Sequence, residues 1–160
     1  MTVGILGAGD IGTCIAKHCK GLGMTVWGMV RRSLPQTTKL PYLDQHRDGK
    51  GLTEILQKCD VICNVLPSTP ATQGLLSEDT FQHCEKKKPL FINIGRGNVT
   101  TESSLVKALN NGWISGAVLD VFEEEPLPKD SLLWDMPNVT ITPHCSGETY
   151  PYMVSIIIIS

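Results

Sequence analysis

The chain has 160 residues, enough for about one domain that could bury roughly 70% of the surface its unfolded form would expose. Apolar residues make up 41% and charged residues 19%, a balance that excludes disordered, collagen-like and coiled-coil classes. A formal net charge of −2 excludes general electrostatic attraction to nucleic acid or to an anionic membrane, so any anion site must be local.

In chain order, residues 3–6 form an apolar run of strand length, followed by glycines and then by helical spacing over 11–22. A second strand is expected over 25–28. Residues 31–50 are polar, rich in Pro, Gln, Thr and Lys, and have neither period. They read as a long irregular connection with at most a short turn of helix, either bordering a ligand or forming a variable surface loop. Then follow a helix over 52–58, a strand over 61–65, a helix over 77–84 and a strand over 90–94. A helix over 103–110 ends at the C-cap signal Asn111-Gly112, and strands are expected over 114–119 and 139–142. Six short apolar strands separated by helices predict a parallel sheet covered on both faces, an α/β architecture.

Cys14, Cys19, Cys59, Cys63, Cys84 and Cys145 include no CxxC pair, and four of them lie in apolar periodic stretches. They predict reduced thiols in a cytoplasmic protein, with neither a disulfide framework nor a metal site. The closing run of isoleucines, Ile156 to Ile159, is far shorter than the ~20 residues of a membrane span. It reads as the start of a truncated, buried C-terminal helix over 151–160.

The first strand leads directly into Gly7-Ala8-Gly9-Asp10-Ile11-Gly12, a GxGxxG that opens a helix. Its first glycine permits a tight turn, the second lets the backbone approach a pyrophosphate, and the third lets helix and strand pack closely. Helix N-terminal amides then face the phosphates. The pattern defines a Rossmann-type, doubly wound single domain over 1–150 that binds NAD(P). An acid that would bond a ribose 2′-hydroxyl is expected about 20 residues further on. Val30 stands there instead, followed by Arg31 and Arg32, whose guanidinium groups suit a 2′-phosphate. NADP is therefore the expected cofactor, with NAD the alternative and solvated loop charges the other reading of the two arginines.

Ligands of such sheets bind beyond the carboxyl ends of the strands. There the chain places Gly95-Arg96-Gly97, then Asp120 with Glu123-Glu124-Glu125-Pro126, then Pro143-His144. The set suits hydride transfer to a 2-keto acid: Arg96 holds the carboxylate, His144 delivers a proton, and a carboxylate fixes the imidazole tautomer.

The strings Gly7-Ala8-Gly9-Asp10-Ile11-Gly12, Leu66-Pro67-Ser68-Thr69-Pro70-Ala71-Thr72, Asn93-Ile94-Gly95-Arg96-Gly97, Leu119-Asp120-Val121-Phe122-Glu123-Glu124-Glu125-Pro126-Leu127-Pro128 and Thr142-Pro143-His144 resemble, in order, the D-isomer-specific 2-hydroxyacid dehydrogenases. The resemblance implies that Arg96 binds substrate, that Glu125 partners the histidine, and that His144 is the proton donor in reduction. Glu125 is chosen over Glu123 and Glu124, expected to be solvated, because the family's acid directly precedes the proline. Cofactor contacts are implied at Asp10 and Ile11 beside the pyrophosphate and at Leu66, Pro67 and Thr72 on the adenine side. Ile94, Gly95 and Arg96 are further candidates for cofactor contact, and Asp120 is expected to face the nicotinamide carboxamide.

Val30 with Arg31 looks like the NADPH-using glyoxylate and hydroxypyruvate reductase branch. Family resemblance further implies a homodimer paired through this domain, and a substrate domain whose segments are missing from this sequence. The chain alone is then expected to be inactive. Two other readings remain open: a non-catalytic dinucleotide-binding protein of the corepressor type, and an inactive truncated gene product.

Overall fold

A computed structural model describes residues 1–35 and 37–147; the helix expected over 151–160 lies outside the described residues. Seven strands, β1 (Thr2–Leu6), β2 (Thr25–Met29), β3 (Gln45–Arg47), β4 (Val61–Asn64), β5 (Leu90–Asn93), β6 (Gly116–Leu119) and β7 (Val139–Ile141), form one sheet. Its order is β3-β2-β1-β4-β5-β6-β7, and every neighbouring pair is parallel. From β1 the chain steps outward to β2 and β3, then returns to the other side of β1 and steps the opposite way. That reversal makes the crevice between the carboxyl ends of β1 and β4 the natural ligand site.

Side chains alternate between the two faces of a strand, so each face collects its own core. On one face, Val3, Ile5 and Val26 pack with Ala16 of α1 (Asp10–Gly21) and with Leu43. The other face carries α2 (Leu52–Lys58) and α3 (Glu102–Asn110), whose Ile55, Leu56, Leu105 and Ala108 share a core with Ile62 and Leu119. Within that core the rings of Phe81 and Phe91 meet edge to face at 5.1 Å.

The connection over 31–50 is more ordered than its composition suggests, because it contains β3 at the sheet edge. An edge strand has one neighbour and can hold its side chains by polar contacts, so it need not show apolar alternation. Arg47 illustrates this: its guanidinium lies 4.8 Å from the Trp27 ring centre and bonds Glu54 at 2.5 and 2.8 Å. The helix expected over 77–84 is instead a 3-10 turn, Thr80–Cys84. Just before it, Glu78 has φ of +56°, which a right-handed helix cannot contain. All six cysteines are unpaired. Burial pushes the thiols of Cys59, Cys63 and Cys84 up to about 12, 11 and 12, which leaves them inert at neutral pH.

The glycine loop joins β1 to α1 with no room to spare. Gly7 has φ of +107°, and a Cβ on Gly12 would sit 1.9 Å from the Gly7 carbonyl oxygen. Gly12→Ala is therefore expected to destabilise the fold by about 3 kcal/mol, the upper part of the usual overpacking range. Urea unfolding of the two proteins measures this directly.

Candidate active site

The cradle for a dinucleotide begins at Gly9, the N-cap of α1, which has no side-chain cap and where an added Cβ would meet nothing within 4 Å. The first-turn amides are thus left for an outside acceptor. Asp10 is exposed in that turn, and Ile11 is 65% exposed, an unusual position for isoleucine without a ligand beside it. The Ala8 amide donates to the Met29 carbonyl at 3.0 Å, tying the glycine loop to the end of β2. Arg31 and Arg32 follow at once, both exposed, and neither makes a hydrogen bond or ion pair among the described residues. These features fit a dinucleotide carrying an additional phosphate on its ribose.

Beyond β4, Leu66 is buried and Pro67 exposed. The Thr72 hydroxyl donates to the Pro67 carbonyl at 2.6 Å and accepts from the Thr69 amide at 2.9 Å, so its first task is to fold this loop. Beyond β5, the Ile94 amide donates to the Asn64 carbonyl, Gly95 is buried, and Arg96 is exposed with Nη1 donating to the Gly95 carbonyl at 2.7 Å. The sequence reading missed what supports these loops. Asn64 and Asn93, both buried, are bonded to each other at 2.8 Å, and Asn98 Nδ2 donates to Ser68 Oγ at 2.7 Å. Two asparagines ending adjacent apolar strands were the only available signal.

The third part lies at the ends of β6 and β7. His144 Nδ1 and Glu125 Oε2 are 2.7 Å apart, and Glu125 Oε1 accepts from the Phe122 amide at 3.0 Å. Partial burial pushes the Glu125 carboxyl up, but the Phe122 amide, His144 and the nearby Arg96 together hold it below its ordinary value. Among the three glutamates the structure thus pairs Glu125 with the imidazole. Glu123 is exposed, as expected, and its Oε2 also accepts from the Glu102 amide at 2.9 Å at the start of α3. An acceptor at a helix N-terminus is favoured by the unpaired amides there.

Asp120 is only 2% exposed. Its Oδ1 accepts from Thr142 Oγ1 at 2.5 Å and from the Cys145 amide at 2.9 Å, while Oδ2 accepts from the Ser146 amide at 2.9 Å. Burial pushes its carboxyl up, yet the Ser146 and Thr142 hydroxyls and the two amides hold it well below the usual carboxylate range. Thr142 and Ser146 are supporting residues that the sequence reading did not single out. Beside the His144–Glu125 pair opens a cavity of about 520 Å³, with Phe122, Leu127, Trp134, Ile141 and Pro143 on its walls.

Glycine cradle, arginine and imidazole–carboxylate pair on one sheet edge define a dinucleotide-binding domain of the dehydrogenase class. A family model described as D-isomer specific 2-hydroxyacid dehydrogenase, NAD binding domain, matches residues 1–146, and the chain belongs to that family. Among solved structures, a D-isomer specific 2-hydroxyacid dehydrogenase family protein from Aeromonas salmonicida is 42% identical with a TM-score of 0.85, over 99% of this chain and 49% of that one. The NADPH-dependent glyoxylate/hydroxypyruvate reductase from Sinorhizobium meliloti, solved with NADP and sulfate, is 33% identical, with a TM-score of 0.84 over 99% of this chain and 50% of that one. A D-isomer specific 2-hydroxyacid dehydrogenase from Xanthobacter autotrophicus, solved with NADPH and MES, is 36% identical, with a TM-score of 0.85 over 99% and 64%. The chain therefore spans about half the length of the first two and less than two thirds of the third.

Asp120→Asn should lower stability at neutral pH by about 1–3 kcal/mol, since one oxygen that accepts from the 142–146 segment becomes a donor. The folded-state pKa of Asp120 lies below the ordinary value of about 3.9. The contribution is thus complete above that pH and is lost as pH falls from there toward the folded-state value. Denaturant titrations of both proteins should show a constant difference above about pH 5 that shrinks below about pH 4.

Proposed function

We propose that this chain is the cofactor-binding part of an NADPH-preferring reductase of small 2-keto acids, with Arg96, Glu125 and His144 as its catalytic residues. The observation that carries the reading is the 2.7 Å contact between His144 Nδ1 and Glu125 Oε2, on the sheet edge that also bears the glycine cradle. Reduced nicotinamide, when bound, would supply the hydride.

Arg96 binds the substrate carboxylate and draws electron density from the adjacent carbonyl. With Nδ1 turned to Glu125, His144 presents Nε2 and delivers the proton from that atom to the carbonyl oxygen; in oxidation the same atom takes it back. Glu125 fixes the tautomer and offsets the charge of the imidazolium. Gly7, Gly9, Asp10, Ile11 and Gly12 line the pyrophosphate position, and Leu66, Pro67 and Thr72 form the adenine side. Ile94, Gly95 and Asp120 lie toward the nicotinamide. Arg31 and Arg32 receive the 2′-phosphate, a reading supported by their freedom from other partners among the described residues and by the NADP and NADPH in two similar structures.

Glyoxylate and hydroxypyruvate are the proposed substrates, by similarity to the reductase from Sinorhizobium meliloti. The other wall of the cleft belongs to a substrate domain outside this sequence. By itself the chain is expected to turn over little or no 2-keto acid. The proposed assembly is a homodimer in the cytoplasm; among the described residues no helix is long and apolar enough to cross a membrane.

Two experiments test the proposal. Calorimetric titration of this chain should show NADPH binding more tightly than NADH, and Arg31→Ala should remove about 1.5–3 kcal/mol of that preference, roughly tenfold to a hundredfold. Equal affinities would return the arginines to solvent. With a substrate domain restored, His144→Ala should lower kcat by ~10²–10⁴-fold while leaving cofactor affinity nearly unchanged. A near-normal rate would remove His144 as the proton donor.

A further inference from the structure

We infer that Asn64 and Asn93 are positioning residues, a buried amide pair that locks the loop bearing Arg96 to the loop that receives the adenine end of the cofactor. The inference rests on the cofactor and substrate roles proposed above.

Asn64 and Asn93 are 0% and 1% exposed and stand opposite each other in the β4–β5 register. Strands buried on both faces ordinarily carry aliphatic residues, and burying carboxamides is unfavourable unless every polar atom finds a partner. Here all four side-chain atoms do. Asn64 Nδ2 donates to Asn93 Oδ1 at 2.8 Å, and Asn64 Oδ1 accepts from the Leu66 amide at 3.3 Å. Asn93 Oδ1 also accepts from the Gly95 amide at 3.2 Å, and Asn93 Nδ2 donates to the Arg96 carbonyl at 3.3 Å.

Apart from their mutual bond, every contact goes to the first residues past the strands. The pair therefore fixes how the chain leaves the sheet, not how the core packs. Gly95 lies in the seam between the loops, where a Cβ would stand 2.8 Å from both Asn64 Nδ2 and the Leu66 carbonyl oxygen. At the rim the same loops are joined again, by Asn98 Nδ2 to Ser68 Oγ at 2.7 Å and by the Gly74 amide to the Asn98 carbonyl at 2.9 Å. Two tiers of hydrogen bonds thus tie the backbone of Arg96 to that of Leu66 and its neighbours. A ligand that settles Leu66 and Pro67 thereby settles the backbone of Arg96, before any substrate arrives.

The test uses the ¹⁵N-labelled chain and adenosine 2′,5′-bisphosphate, which carries the adenine and the 2′-phosphate but no nicotinamide. On titration, the Gly95, Arg96 and Gly97 amide signals should move together with that of Leu66 and reach half-saturation at the same concentration. In Asn64→Leu the nucleotide still binds, but the movement at Gly95 to Gly97 is lost. Asn93→Ala is the second variant, removing both the Oδ1 acceptor and the donor to Arg96 without adding a charge. It should likewise abolish the response of Gly95 to Gly97, and it carries the test alone if Asn64→Leu does not fold. A purely structural pair would lower the melting temperature in both variants and leave the transmitted shift intact, which overturns the inference. So does a saturated wild type whose Gly95 to Gly97 signals stay still. Failure of the nucleotide to bind the wild type at all overturns the cofactor reading, and this inference with it.

Discussion

Taking a carboxylate out of water is unfavourable unless donors replace the lost solvation, and the Asp120 carboxylate draws its donors from one short segment, the Thr142 hydroxyl and the Cys145 and Ser146 amides. The chain beyond β7 must therefore fold back over the end of β6. His144 lies inside the wrapped segment, with φ of +53°, a conformation few non-glycine residues adopt without outside support. Once it is held there, the ring reaches Glu125, which follows β6 on the same connection as Asp120. The His144–Glu125 contact thus follows from solvating one buried charge, and parallel pairing of β6 with β7 brings the two segments together.

The same logic governs the other half of the edge. Loops after β1 and β2 are joined by the Ala8–Met29 backbone bond, and loops after β4 and β5 by the asparagine pair. In each case two strand exits are tied before a ligand enters. What stays unsatisfied, the first-turn amides of α1 and the guanidinium groups of Arg31 and Arg32, is what a phosphate-bearing molecule needs.

Much of this was legible in the sequence because it depends on local rules. GxGxxG after an apolar strand fixes its own meaning through sterics, and Gly12 meets the Gly7 carbonyl as that spacing requires. Six strands showed themselves by apolar runs; β3 did not, because Gln45, His46 and Arg47 sit at an edge and satisfy themselves through polar partners. The 77–84 helix failed on one residue, Glu78, whose left-handed backbone no periodicity reveals. Arg96, Glu125 and His144 could be named from their places at strand ends. The residues that steady them, Asn64, Asn93, Thr142 and Ser146, could not, because their roles depend on partners about 20 to 30 positions away that only the folded chain brings close.

The run of three glutamates carries a consequence for how this sequence can change. Glu123 reaches the start of α3 and Glu125 reaches His144, while Glu124 between them is exposed. One more or one fewer glutamate would leave local chemistry almost unaltered and would pass unnoticed in any comparison of composition. It would nevertheless change the spacing between the two carboxylates that make contacts, so that the helix and the imidazole could no longer both be reached with the loop as it stands. The segment thus works as a vernier: its residues are interchangeable in kind but not in number, and drift in its length is barred where drift in the identity of its middle residue is free.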